Sequence, residues 1–152
     1  IENKNNFGYF IPSISFDYKL VSNGKLVLAT KVKSHINFTD SFEFYQAATI
    51  GGKDGLRGYR NERFSGKNSF YQNTDIRFNI YKMKSSIAPI NIGMFTAADY
   101  GKVWIKNDTS NKWHSSYGGG IFLNGANMIS ANLGLFKGDE SARLIFSLGF
   151  NF

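Results

Sequence analysis

The sequence has no cysteine, only two prolines and no apolar run approaching the ~20 residues of a membrane-spanning helix. Without thiols, a disulfide framework and a thiolate metal site are both excluded, and the redox compartment stays open. The missing apolar run excludes spanning by helices but not by a barrel, whose strands carry a far weaker hydropathy signal. No signal peptide precedes Ile1, so the chain is expected to be either mature or excised from something longer. Acidic residues are scarce, eleven against eighteen Lys and Arg, leaving a formal charge of +7 on 152 residues. That balance would suit nucleic acid or an anionic surface. Basic residues scattered over separate loops are ordinarily just solvated, and no nucleic-acid partner is expected.

What is plentiful is aromatic side chain: fifteen Phe, eight Tyr and two Trp. Strand side chains alternate between faces with period two, and taking every second residue sorts this chain into oily and wet sides. In the first run Phe10, Pro12, Ile14, Phe16, Tyr18 and Leu20 oppose Ser13, Ser15, Asp17 and Lys19. Asn23-Gly24 then marks a tight hairpin, after which Leu26, Leu28, Val32 and Ile36 oppose Lys31, Lys33, His35 and Asn37. The same reading predicts eight strands, near 7–20, 25–38, 42–50, 68–82, 89–104, 113–123, 127–137 and 141–152. Most exceed the roughly five to six residues of a globular strand and match the roughly 9 to 11 that cross a bilayer.

Alternation alone does not separate a soluble barrel with an oily interior from a membrane barrel with a polar lumen. Strand length and the interface-type aromatics Tyr18, Tyr100, Trp104, Trp113 and Tyr117 favour the membrane. The expected fold is all-β: one antiparallel transmembrane β-barrel domain over residues 1–152. The pattern is interrupted at 51–66, "GGKDGLRGYRNERFSG", which holds five glycines and four basic residues.

Within that loop Leu56-Arg57-Gly58-Tyr59 resembles the (V/I/L)-R-G-(F/Y) hallmark of the bacterial outer-membrane surface-antigen superfamily, the BamA, TamA and two-partner-secretion transporter barrels. As in that family, the loop falls between the third and fourth of the eight predicted strands. "FTAADYG" matches the family's F-x-x-x-D-x-G through Phe95, Asp99 and Gly101 on the second strand after the loop. The resemblance implies a loop folded into the lumen and latched to the wall by Arg57, Gly58, Tyr59, Asp99 and Gly101. It further implies a C-terminal assembly signal in Phe146, Leu148, Phe150 and Phe152, and a role in insertion or translocation of protein, or lipid, at the bacterial outer membrane. Outer-membrane lipid, the assembly machinery and a client polypeptide are the implied partners, with no cofactor.

Elementary chemistry agrees with the latch. A carboxylate in a partly dehydrated lumen needs a cation or hydrogen-bond donors, and Arg57 offers a planar fork. Arg77 and Arg143 are competing partners for Asp99, and a solvated Arg57 is the bland alternative. Gly55 and Gly58 allow a tight turn, including one at positive φ. His35 and His114 stand alone where a metal site needs three or four ligands, so no metal is expected. No nucleophile, base and orienting group converge, and no enzyme activity is expected.

The chain departs from the family in size, since a family barrel has sixteen strands preceded by periplasmic modules. A closed eight-stranded barrel is filled by its own side chains and leaves no space for such a loop. A homodimer, or a missing N-terminal half-barrel, is therefore expected, with Pro12 near the seam. The alternative is a small closed structural or adhesive barrel without transport.

Overall fold

The computed structural model describes residues 8–39, 43–84, 89–105, 112–125 and 129–150, apart from the side chains of Phe44, Asp54 and Phe150. The strands are β1 (Tyr9–Phe10), β2 (Ser13–Lys19), β3 (Leu26–Asn37), β4 (Ala48–Ile50), β5 (Phe64–Gly66), β6 (Asn68–Met83), β7 (Ile90–Trp104), β8 (His114–Gly125), β9 (Ile129–Lys137) and β10 (Ala142–Phe150). All but β4 and β5 form one sheet, in the order β1 and β2, β3, β6, β7, β8, β9, β10. Every pairing is antiparallel, as direct connections between neighbours require.

The two segments β1 and β2 share one edge of β3 in one register, Phe10 opposite Ile36 and Ser13 opposite Lys33, so they are a single ribbon broken at Ile11-Pro12. The Ser34 N–H donates to the Pro12 carbonyl at 3.0 Å, but proline has no N–H with which to return the bond. At the other end of this ribbon Gly24, at φ 69, closes the hairpin into β3, and its N–H donates to the Val21 carbonyl at 2.9 Å.

The register places Ile14, Phe16, Phe78, Met94, Ile121, Leu133, Leu144 and Phe146 on one face, all between 40 and 70% exposed. At one end of that face Tyr100 stacks on Trp113 with centroids 4.6 Å apart, and the Lys102 ammonium lies 5.3 Å over Trp104. The opposite face carries Asp17, Lys31, Asp75, Asp99, Ser116 and Asn132, interspersed with a small cluster of Phe95, Ala97, Phe122 and Phe136. Apolar out and polar in inverts the arrangement of a soluble domain.

The predicted strand at 42–50 is not a wall strand. Residue 42 lies outside the described residues; Phe44–Gln46 form a single 3₁₀ turn, and Ala48–Ile50 pair with Phe64–Gly66 as a separate two-stranded hairpin. The wall has no place for it, because β3 pairs directly with β6, Leu26 opposite Phe78 through His35 opposite Ser69. Its alternation serves another purpose: Ala48 and Ile50 are 0% and 1% exposed, and Ile50 packs in a core that the loop builds for itself. The described residues thus give the sheet seven ladder positions, the first split into β1 and β2. Among the described residues, β2 and β10 do not pair with each other, and the sheet is open. It nevertheless curls, since Lys31 on β3 and Ser147 on β10 line the same cavity.

Candidate functional site

Between β3 and β6 the chain leaves the wall and returns over its polar face. Asn37, 2% exposed, marks the departure: its amide donates to the carbonyls of Gln46 at 3.1 Å and Lys67 at 2.8 Å, clasping both legs of the excursion. The excursion has its own core of Ile50, Leu56 and Tyr59 packed on Tyr71 of β6, with Phe64 and Val103 against it. Leu56 is fully buried there, which explains the apolar first position of the tetrapeptide.

The positive-φ glycines of the loop are Gly51 (φ 135) and Gly52 (φ 73), and the Gly52 N–H reaches the Leu56 carbonyl at 2.9 Å; Glu62 is also at positive φ (54). Gly55, at φ 164, is simply extended, and Gly58 is not in the left-handed region either. What Gly58 supplies is space. A Cβ there would sit 2.5 Å from the Gly138 nitrogen and 2.6 Å from Ser116 Cβ. The expectation of positive φ at these two glycines is therefore corrected.

Stacked so closely on the wall, Arg57 delivers both backbone and side chain to Asp99. Its N–H donates to Asp99 Oδ2 at 2.9 Å, Nε to Oδ1 at 3.0 Å, and Nη2 to Oδ1 at 2.6 Å. The same Nη2 donates to Asp75 Oδ1 at 2.7 Å. Asp99 also accepts from Asn73 Nδ2 at 2.8 Å and Ser116 Oγ at 2.9 Å, while that hydroxyl accepts from the Gly58 N–H at 3.1 Å. The Arg57 guanidinium rests 4.4 Å over the Phe136 ring. Its burial disfavours the cation, but bonds and charge from Asp99, then Asp75, outweigh that and raise its pKa.

Tyr59, 2% exposed, carries the loop across to the far wall. Its hydroxyl donates to the Ser115 carbonyl at 3.2 Å and accepts from the Asp139 N–H at 3.1 Å in the β9–β10 turn. Beside it, Arg63 Nε donates to Glu140 Oε1 at 2.7 Å. Gly101 lies off the ion pair; a Cβ there would meet the Phe70 carbonyl at 2.8 Å, Tyr71 Cβ at 3.0 Å and Ile50 Cδ1 at 3.3 Å. It makes room for the loop core.

The structure thus brings Arg57, Gly58, Tyr59 and Asp99 together at one site, with Gly101 beneath the neighbouring core. Arg77 goes to Asp75 at 3.3 Å, and its competition for Asp99 does not materialise. Phe146 and Leu148 project from the outer face of β10, 67% and 50% exposed. Phe150 ends that strand, and Phe152 is outside the described residues. His35 meets Asn37 at 3.1 Å and the Tyr9 ring at 5.5 Å between centroids, and His114 stacks on Phe64 at 3.7 Å. Asn73, Asp75 and Ser116 fall on the polar side of the sequence alternation, but nothing in the sequence joins them to the ion pair. Their convergence depends on register, Asn73 opposite Asp99 and Asp99 opposite Ser116, which a single strand's pattern does not carry.

Residues 2–125 match the family model described as haemolysin secretion/activation protein ShlB/FhaC/HecB. No curated protein and no solved structure matches the chain.

Proposed function

The chain belongs to the haemolysin secretion/activation family ShlB/FhaC/HecB, bacterial outer-membrane β-barrel secretion transporters, and from that premise we propose that it forms wall and lumen loop of a pore that passes a client polypeptide across that membrane. The observation that supports this reading best is the loop held against the polar face by a fully buried carboxylate. Detaching the Arg57 end would widen the passage, and reattaching it would close it.

On this reading the two open edges, β1 with β2 and β10, are closed by further strands. Unpaired edges are untenable in lipid, and a curled sheet of seven ladder positions already encloses a loop that a small barrel filled by its own side chains could not hold. Strands from the rest of a longer chain fit this best, as a half-barrel completing the lumen; two copies of a seven-position sheet would give fourteen positions, not the sixteen of the BamA-type barrels. The protein's role is conduction of polypeptide, with no covalent chemistry assigned to it.

Planar-bilayer recording on the full-length protein tests the reading. Unaltered protein should sit mostly in a low-conductance state, and Arg57→Ala should lengthen and enlarge the openings while the solubilised particle keeps its mass. A protein soluble without detergent, or a variant with unaltered conductance, would refute it.

A further inference from the structure

Beneath the loop lie two adjoining cavities of about 320 and 240 Å³ that share Lys31, Lys53, Arg57, Asp75 and Arg77. Together they make a continuous trough, from Asp17 on β2 at one end to Ile145 and Ser147 on β10 at the other. Its charges are not all spent on the loop's attachment. Arg57 is committed to Asp99 and Asp75, and Arg77 leans on Asp75. Lys31 and Lys53 have no ion-pair partner among the described residues. They approach from opposite sides, Lys31 from the wall and Lys53 from the loop. Asp17 is the one lining carboxylate outside the ion-pair network.

We propose that this trough is a track for extended, carboxylate-bearing polypeptide, held by Lys31 and Lys53 between loop and wall. The inference rests on the transport reading and adds the chemistry of the client. Two ammonium groups facing one passage with low-dielectric walls raise the local potential well above that of an open surface. Lysine is a compact point charge on a flexible stem, whereas arginine's fork fixes a partner bidentately. Two lysines can therefore retain carboxylates without fixing register, as a chain that must slide requires. The far end is floored by Phe95 and Phe136 beside Ile145, which gives apolar side chains a place between acidic ones. That mixed lining favours polypeptide over nucleic acid, for which phosphate neutralisation alone would dominate.

The test uses detergent-solubilised full-length protein and two fluorescent decapeptides, one alternating Glu and Ser, the other Lys and Ser, followed by anisotropy. The acidic peptide should bind about tenfold or more tighter than the basic one, and the difference should vanish at molar salt. The double variant Lys31→Glu/Lys53→Glu should reverse the preference. Neither lysine supports the loop's ion pair, so gel mobility before and after heating should match the unaltered protein and show that the variant folds. Equal binding of the two peptides would overturn the proposal, as would an unchanged preference in the double variant. A single-stranded oligonucleotide that competes equally, with the same lysine dependence, would also overturn it, by making the trough a general polyanion site. Failure here with the Arg57→Ala conductance change intact would remove the track and leave the transport reading standing.

Discussion

Asp99 is the residue on which the site turns, because its side chain has no exposure to solvent and a buried carboxylate needs hydrogen-bonding neighbours in place of water. Here they are the backbone N–H, Nε and Nη2 of Arg57, the amide of Asn73 and the hydroxyl of Ser116. Removing one partner of such a pair costs about 3–5 kcal/mol when both are buried. Here Arg57 keeps 15% exposure and sits on a loop, so the loss falls on loop attachment rather than on the wall. Arg57→Ala should therefore speed tryptic cleavage at Lys53, Arg60 and Arg63 while the barrel's unfolding midpoint moves little. Asp99→Ala added to it should bring almost no further acceleration, a coupling of about 1–3 kcal/mol. Additive effects would deny that the two act as a unit. The motif pair was readable in sequence, since alternation alone put Asp99 on the polar side. Asn73, Ser116 and Phe136 were not, because only interstrand register brings them around one carboxylate.

The excursion from 38 to 67 shows where alternation misleads at the level of elements. Phe42, Phe44, Ala48 and Ile50 alternate like a wall strand, but a two-residue period records only that one side is buried, not against what. Ala48 and Ile50 are both buried, Ile50 against Leu56, Tyr59 and Tyr71, so a short hairpin satisfies the pattern that a wall strand would have. This element is fastened at two ends by different chemistry. The Arg57 end is buried, whereas the far end relies on the exposed Arg63–Glu140 pair beside Tyr59. The hydrogen bond from Arg63 holds the Glu140 pKa below its ordinary 4.5. A carboxylate with a lowered folded pKa stabilises above its unfolded value and loses that contribution as pH falls through the folded one. Cleavage after Arg60 and Arg63, by a protease active in acid, should therefore rise below pH 4.5, ahead of any change near Lys53. Molar salt at neutral pH should reproduce the effect. Glu140→Gln should abolish the pH step; a step that survives it belongs to another group.

For the whole molecule, the decisive property is which side of the sheet meets an apolar medium. The two faces were legible in the sequence, but their orientation was not, because a soluble barrel and a membrane barrel alternate alike. Closure was not legible either, because alternation within a strand says nothing of what meets a sheet's two edges, and among the described residues β2 and β10 do not pair. Orientation can be tested on adjacent residues of a single strand. Phe146, in the middle of β10, projects outward at 67% exposure, and Ser147 lines the trough on the other face. A lysine on a lipid face costs about 2–4 kcal/mol near the bilayer midplane, and far less in a polar lumen. Urea unfolding of the full-length protein in vesicles should therefore show Phe146→Lys strongly destabilised and Ser147→Lys close to the unaltered chain. The strand, its backbone pairing with β9 and the introduced residue are common to both variants, so the difference isolates the surroundings of each side chain. Were Ser147→Lys the costly one, the polar face would be the packed side, and a lumen, a loop spanning it and a track beneath that loop would all fall together.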